Sequence, residues 1–254
     1  MTGAQATPLY LSRLPLNPRS RQVRSEVAHP YEMHRTLMRA FPGESDGGPG
    51  RVLFRLEEDR RLESPTILVQ SEKEPRWTFL GELNDYLCAD VEAPKNIMPA
   101  YQNLRDGQIL RFRLRANPTK RVAKQDDPMK GKRVELAREN EQIDWLIRKG
   151  QQREKNVPGG FELVMKEVKN MRGEVRKIPR VDVCPEGKQT GRKREEGHGH
   201  LTTHLAVLFG GLLRVTDKGA FLESLICGIG SGKAFGFGLL SVAPCHTPPP
   251  SEAL

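Results

Sequence analysis

The chain is poor in the residues that carry several common chemistries. It has four cysteines (Cys88, Cys184, Cys227 and Cys245), widely spaced and without a CxxC pair. That excludes a disulfide scaffold and leaves free thiols as the simple reading. Aromatic residues make up 6% of the chain, too few for base stacking to be its main device. No apolar run approaches the roughly eighteen residues of a membrane span, and Met1 to Pro8 lacks the charged start and apolar centre of a secretory signal. No membrane partner is expected.

What the chain does have is positive charge. Lys and Arg total 41 against 32 acidic residues, a formal +9, which favours an anionic partner such as nucleic acid. With 37% hydrophobic residues in 254, the chain can still bury one large core or two small ones.

Periodicity supplies the plan. Leu9 to Leu16 reads as a strand, and a polar, Arg-rich stretch follows to Ala28. A helix opens at Pro30, where a missing amide costs nothing, and stops at Pro42-Gly43. Arg51 to Glu57 and Thr66 to Ser71 read as strands. Trp77, Leu80, Leu83 and Leu87 recur at helical spacing, and Ile109 to Arg115 is a strand ending at Asn117-Pro118. Strand, helix, two strands, helix, strand is the order of a ferredoxin-like α+β domain, here assigned to residues 9–118 after an extension, 1–8.

A similar order recurs over 119–245. It has a strand at Lys132 to Leu136, a helix around Ile143 to Gly150, and a strand at Phe161 to Val168. Strands follow at His204 to Phe209 and Leu212 to Thr216, then a helix capped by Asp217 and a last strand at Phe237 to Val242. The expected fold is therefore two ferredoxin-like (βαββαβ) domains in tandem. Residues 169–199, basic and rich in Gly and Pro, read as a mobile arm, and 246–254 as a frayed tail.

Arg111, Arg113 and Arg115 alternate with Phe112 and Leu114. Period two puts the three guanidiniums on one strand face about 6.6 Å apart, a spacing that can follow backbone phosphates. The same pattern also describes the solvated face of a sheet. Lys120, Arg121, Lys124, Lys130 and Lys132-Arg133 extend the basic surface, as do Lys188, Arg192, Lys193 and Arg194 in the arm.

Gly228 to Gly238, reading GIGSGKAFGFG, is not a Walker loop, because Ala234 stands where a magnesium-binding hydroxyl should be. Lys233, Phe235, Gly236 and Phe237 half-resemble the central RNA-binding motif of an RRM, which would make this a binder of single strands. A glycine loop packed closely on a neighbour is the alternative.

On the Pro30 helix, Met33, Leu37 and Ala40 mark the core face. Tyr31 and His34, three apart, share another, with Arg35 and Arg39 beside it. Such a set suits RNA cleavage by the ribose 2′-hydroxyl: His can shuttle a proton and Arg can stabilise the charge of the phosphorane. A surface histidine with no role is the competing reading. His198, His200, His204 and Cys184 are the one thinkable metal set, but they lack ligand spacing, so no metal or cofactor is expected.

Together these segments resemble a known family. Leu9 to Leu14 with Leu16-Asn17-Pro18, Pro30 to Arg35, Arg111 to Arg121 (RFRLRANPTKR), Val207-Leu208-Phe209 and Gly228 to Pro244 are similar, in order, to hallmarks of the CasE family, the CRISPR repeat-processing endoribonucleases of type I-E systems. The resemblance spans about Leu9 to Pro244. It implies metal-independent cleavage at the base of a repeat hairpin, leaving 5′-hydroxyl and cyclic phosphate ends. It further implies retention of the product with the other Cascade subunits, in the cytoplasm of a prokaryote. It places His34 at the catalytic histidine, Tyr31 at its partner and Arg39 where a basic residue assists. Arg35, Arg111, Arg113, Arg115, Lys120, Arg121, Lys188, Arg192, Lys193, Arg194 and Lys233 are then the candidate RNA contacts. A subunit that binds the hairpin without cutting it would carry the same basic surface. His29 departs from the Asn usual before the Pro, so a weaker helix cap is expected.

Overall fold

The structure is a computed structural model describing residues 7–59, 64–122, 131–151, 159–170, 173–195 and 198–245, with backbone alone at 58, 59, 192–195 and 198–201. Lys124, Lys130 and the 246–254 tail lie outside the described residues.

In chain order the first half has β1 (Tyr10–Pro15), α1 (Arg21–Ala28), α2 (Pro30–Met38), β2 (Val52–Asp59), β3 (Ser64–Ser71), a 3-10 turn (Trp77–Glu82), β4 (Lys95–Asn96) and α3 (Met98–Gln102). The second half has β5 (Ile109–Ala116), β6 (Thr119–Arg121), β7 (Arg133–Glu135), α4 (Glu139–Gln151), β8 (Phe161–Leu163), β9 (Met165–Lys169) and β10 (Val175–Pro179). It ends with β11 (Val181–Glu195), β12 (His198–Val215), α5 (Lys218–Cys227) and β13 (Leu240–Pro244).

Besides the separate two-stranded sheets β9–β10 and β6–β7, the strands form two larger antiparallel sheets, ordered β2-β3-β1-β4 and β11-β12-β5-β13, with β8 also on β12. In each, the leading strand lies between the third and fourth strands of its own domain, which is the ferredoxin-like order. The tandem arrangement holds, but the division between its halves moves. The arginine strand β5, assigned above to the first domain, pairs along its length with β12 and β13 in the second sheet. Two-residue β4 takes its expected place at Tyr10 and Leu11. Alternation identifies a strand and its faces but says nothing about its pairing partner, which is a tertiary choice.

Other segments also differ from expectation. The Arg-rich stretch before Pro30 contains helix α1, held by buried Val23 and Glu26. Trp77 and Leu80 are buried as their spacing suggests, but the segment is a 3-10 turn, not a helix through Leu87. Gly81 weakens helix propensity there and Asp85 has φ 54°, which ends any helix. The described residues of the basic segment 169–199 are strands and not a loose arm. They complete the β9–β10 hairpin and then form β11, paired with β12 from Val181↔Gly211 to Glu195↔His198. The two strands expected in 204–216 are one continuous β12. Exposed charge does not oppose a two-stranded ribbon whose partner supplies the hydrogen bonds.

Each sheet buries its own core. Leu14, Met33, Leu37, Phe54, Ile67, Val69 and Trp77 fill the first. Phe112, Leu114, Trp145, Leu146, Phe209, Phe221 and Leu225 fill the second. Asp217 caps α5 as expected, accepting from the Ala220 amide at 2.9 Å. At α2 no side chain caps the N-terminus; the His29 ring Nδ1 lies 2.9 Å from the Ser25 carbonyl of the preceding turn instead.

The two domains are tied by Arg55 of β2, which is 1% exposed. Its Nη1 donates to the carbonyls of Arg113 (3.0 Å) and Leu239 (2.8 Å), and its Nη2 to Ser241 Oγ (2.9 Å), all in the second domain. Nε and Nη2 both meet Glu57 Oε1. Removing a buried, hydrogen-bonded cation leaves these acceptors unpaired. Arg55→Met is expected to lower unfolding free energy by about 3–5 kcal/mol, read from the shift in urea midpoint; a loss under about 1 kcal/mol would mean water replaces the guanidinium.

Candidate active site and RNA-facing surface

The seam that Arg55 closes also carries the candidate chemistry. Helix α2 buries Met33, Thr36 and Leu37, which turns Tyr31 and His34 toward the second domain. There they meet the Gly-rich loop. The Tyr31 ring lies 5.7 Å from Phe235 and 6.2 Å from His34, and His34 stacks on Phe54 at 6.1 Å and 10°. Phe235, Phe237 and Ala206 form a small core of their own against which Tyr31 packs. Gly236 has φ 76°, which side chains rarely adopt, and a Cβ there would come 3.1 Å from the Phe54 ring, so glycine suits the close approach of the loop to β2.

His34 is half-buried, and its Nδ1 is buried without a hydrogen-bond partner. Burial pushes its imidazole below the ordinary value, so the ring is neutral at pH 7. A neutral imidazole is ready to accept a proton.

Helix α2 is steadied from behind. Buried Glu26 accepts from Thr36 Oγ1 (2.7 Å), the Tyr86 hydroxyl (2.6 Å) and Gln22 Nε2 (2.8 Å). The Tyr86 hydroxyl is pushed far above its ordinary range by burial and by that carboxylate, so it stays a donor.

The other candidate residues separate. Arg39 ends α2 about 140° around the helix from His34, its guanidinium 4.5 Å from the Phe79 ring centre. Arg35 is exposed and paired with Glu32 at 2.9 Å. Arg111 and Arg113 are exposed on β5 as alternation requires, Arg113 lying 4.0 Å from Glu57.

Arg115 corrects the reading of three free guanidiniums. It is 8% exposed, bonded to Glu186 at 2.5 Å and to the Phe235 carbonyl at 3.3 Å, and lies over the Phe237 ring. The Gly-rich loop folds over that end of the strand and makes Arg115 a packing residue. Phe235 (6% exposed) and Phe237 (0%) cannot present faces to bases, which removes the RRM-like reading and leaves the close-packed glycine loop. Lys233, half-buried, donates to the Gly230 carbonyl at 2.9 Å; burial, with Arg51 and Lys149 nearby, pushes its amine down.

Lys120 pairs with Glu141 and Lys188 with Glu135, while Arg121 is exposed. Arg192, Lys193 and Arg194 stand on the outer half of β11, opposite Leu201, His200 and Gly199. Cys184 pairs with Leu208, four residues from His204 or on the order of 13 Å along the strand, so these two are not brought together. No group of metal-binding side chains occurs among the described residues.

Sequence reasoning missed Arg55, Phe54 and the Asn117–His204 pair. A charged residue inside the apolar run Val52-Leu53-Phe54-Arg55-Leu56 was the available signal for Arg55.

Two ferredoxin-like domains meeting at a His–Tyr helix and a glycine loop, with basic strands beside it, define a tandem ferredoxin-like protein with a basic-flanked seam. The family model described as CRISPR associated protein matches residues 9–244, and the chain belongs to that family, in its type I-E Cse3/CasE branch. It is 43% identical over 238 residues to the CRISPR-associated endoribonuclease Cse3 of Thermus thermophilus, covering 93% of this chain and all of the relative. It is 30% identical over 220 residues to the Cascade subunit CasE of Escherichia coli, covering 84% and 92%. Thermus thermophilus Cse3 bound to an RNA representing a pre-cleavage complex superposes with TM-score 0.68 at 41% identity, covering 93% and 100%.

The burial of His34 has a pH signature. Its pKa is lower folded than unfolded, so between about 6.5 and the folded value the unfolded chain binds the extra proton and stability falls with falling pH. Above 6.5 the group contributes no slope. His34→Gln is therefore expected to lose less stability than wild type between pH 7.5 and 5.5 in urea titrations. Equal losses would mean that His34 titrates as if in water.

Proposed function

We propose that the protein is an endoribonuclease that cuts CRISPR precursor RNA at the base of its repeat hairpins and keeps the product within a Cascade assembly. The observation that carries this reading is the neutral, partly buried His34, its Nδ1 buried without a partner, beside Tyr31 at the seam between the domains. It agrees with the full-length likeness to an endoribonuclease.

The reaction moves one proton across the phosphate. The neutral His34 takes it from the ribose 2′-hydroxyl, and O2′ attacks the adjacent phosphorus. The bond to the 5′ oxygen breaks, and the imidazolium returns a proton to that oxygen. The products are a cyclic phosphate and a 5′-hydroxyl, so no water, metal or cofactor enters the balance. Tyr31 orients the scissile phosphate or the imidazole through its hydroxyl. Arg39 is the basic residue proposed to assist, and it must leave the Phe79 ring to do so.

The exposed guanidiniums of Arg111 and Arg113, with Arg35, Lys120 and Arg121, hold the phosphates leading to the site. The ribbon residues Lys188, Arg192, Lys193 and Arg194 meet the stem, and Lys233 stiffens the Gly-rich loop beside it. No helix among the described residues is long and apolar enough to cross a membrane. A cytoplasmic location beside the other Cascade subunits follows from the proposed role.

The test is cleavage of a repeat stem-loop RNA in excess EDTA. Wild type should cut at one position. His34→Ala should lose about 10²–10⁴-fold in rate while still binding, and Tyr31→Phe should lose less. Binding without cleavage by wild type would make the chain a structural subunit, and equal cutting by His34→Ala would put the chemistry elsewhere. In the same assay Arg113→Ala should weaken binding and lower the salt slope of log Kd by about one. An unchanged affinity would remove β5 from the RNA path.

A further inference from the structure

The seam holds a second histidine that the reaction above does not use. His204, on β12, sits edge-on to Phe235 at 4.5 Å and to Phe237 at 6.1 Å. Phe235 in turn packs on Tyr31, and Tyr31 on His34. The two imidazoles thus flank one Tyr–Phe pair, joined by ring contacts none of which is longer than 6.2 Å. His204 is half-buried and is fixed in rotation: Asn117, 4% exposed at the end of β5, places its amide Nδ2 2.9 Å from His204 Nδ1. With the amide donating into Nδ1, the ring proton sits on Nε2, which becomes a donor of fixed direction.

A histidine kept only to fill space would need neither the buried amide nor the cost of that amide's second atom. Asn117 Oδ1 is buried with no partner, so the pair is held at some expense of hydrogen bonding. Its place matters too. His204 stands where the long β11–β12 ribbon meets the seam, opposite Gln189 and one strand from the basic Lys188. On the endoribonuclease reading, a stem lying along the ribbon would run past it toward His34.

We propose that His204 contacts the RNA chain beside the scissile step, donating from Nε2 to a ribose or phosphate oxygen, and that Asn117 sets its tautomer and direction. It is a positioning residue for the reaction, not a second proton shuttle. This rests on the endoribonuclease reading for the identity of the RNA, but the contact is measured without cleavage.

The experiment uses the full chain and a stem-loop repeat RNA made uncleavable by 2′-deoxy substitution at the cut site, with the all-ribose RNA for rates. His204→Phe keeps a ring against Phe235 and removes the donor. We expect Kd for the deoxy RNA to rise about fivefold to tenfold, while the single-turnover rate at saturating protein falls by no more than about tenfold, one hydrogen bond's worth. The salt slope of log Kd should not change, because a neutral donor releases no counterion. Unchanged Kd and rate would make His204 a packing residue. Unchanged Kd with a rate loss of a hundredfold or more would make it a proton-transfer group. Either result overturns the proposal.

Should His204→Phe fail to fold, hydrogen–deuterium exchange at the His204 ring carbon in wild type decides. Slowing of at least twofold on binding the deoxy RNA supports the contact, and unchanged exchange overturns it. Wild type that binds but never cuts would sink the endoribonuclease reading alone, with the His204 contact still read from Kd.

Discussion

A buried guanidinium joins the two halves of this molecule, beside a second buried bond from Gln70 to the Leu225 carbonyl. Arg55 rises from the first sheet and ends among backbone carbonyls of the second, with Glu57 balancing its charge. A cation at 1% exposure is tolerable only because each N–H group that meets the second domain finds an acceptor there. The carbonyls it uses belong to the middle of β5 and the residue before β13, so the bond fixes translation as well as proximity. Two ferredoxin-like domains could pivot about a linker. These two are pinned at the strands that carry Arg113 and the end of the Gly-rich loop.

The site depends on that pinning because neither domain contains it. His34 and Tyr31 come from α2 and Phe54 from β2, while Phe235, Gly236 and His204 come from the second domain. Burial beside Tyr31 and Phe54 lowers the His34 pKa, and its Nδ1 is buried without a partner. The Gly-rich loop packs on Tyr31 beside it. The loop reaches it because Gly236 lets the chain pass against Phe54, and because Arg115, Glu186 and the Phe235 carbonyl brace its other side. Arg55 and Arg115 are buried in the seam, whereas Arg111 and Arg113 stay exposed beside it.

Local pattern made much of this legible. The core face of α2, the alternation of β5, the Asp217 cap and the doubled ferredoxin-like order all follow from spacing and composition, which depend on neighbours in the chain. The Tyr31–His34 pair was legible as a helix face, and the role proposed for it came from resemblance to a family. What could not be read was anything that depended on pairing at a distance. The same alternation that aligned Arg111, Arg113 and Arg115 could not reveal that a loop 120 residues later would cover the third. Charge and glycine made 169–199 look loose, yet β12 supplied a ladder for it.

The sequence by itself determined the periodic segments such as β5 and the core face of α2, that the chain would be cationic, and which helix would carry a histidine beside a tyrosine. Hydrophobic period and charge are properties of the covalent chain and survive any packing. Tertiary structure decided which sheet received β5, which arginine became structural and where water was excluded. Burial, hydrogen-bond partners and desolvation exist only when distant residues such as Arg55 and Leu239, or Tyr31 and Phe235, are brought into contact.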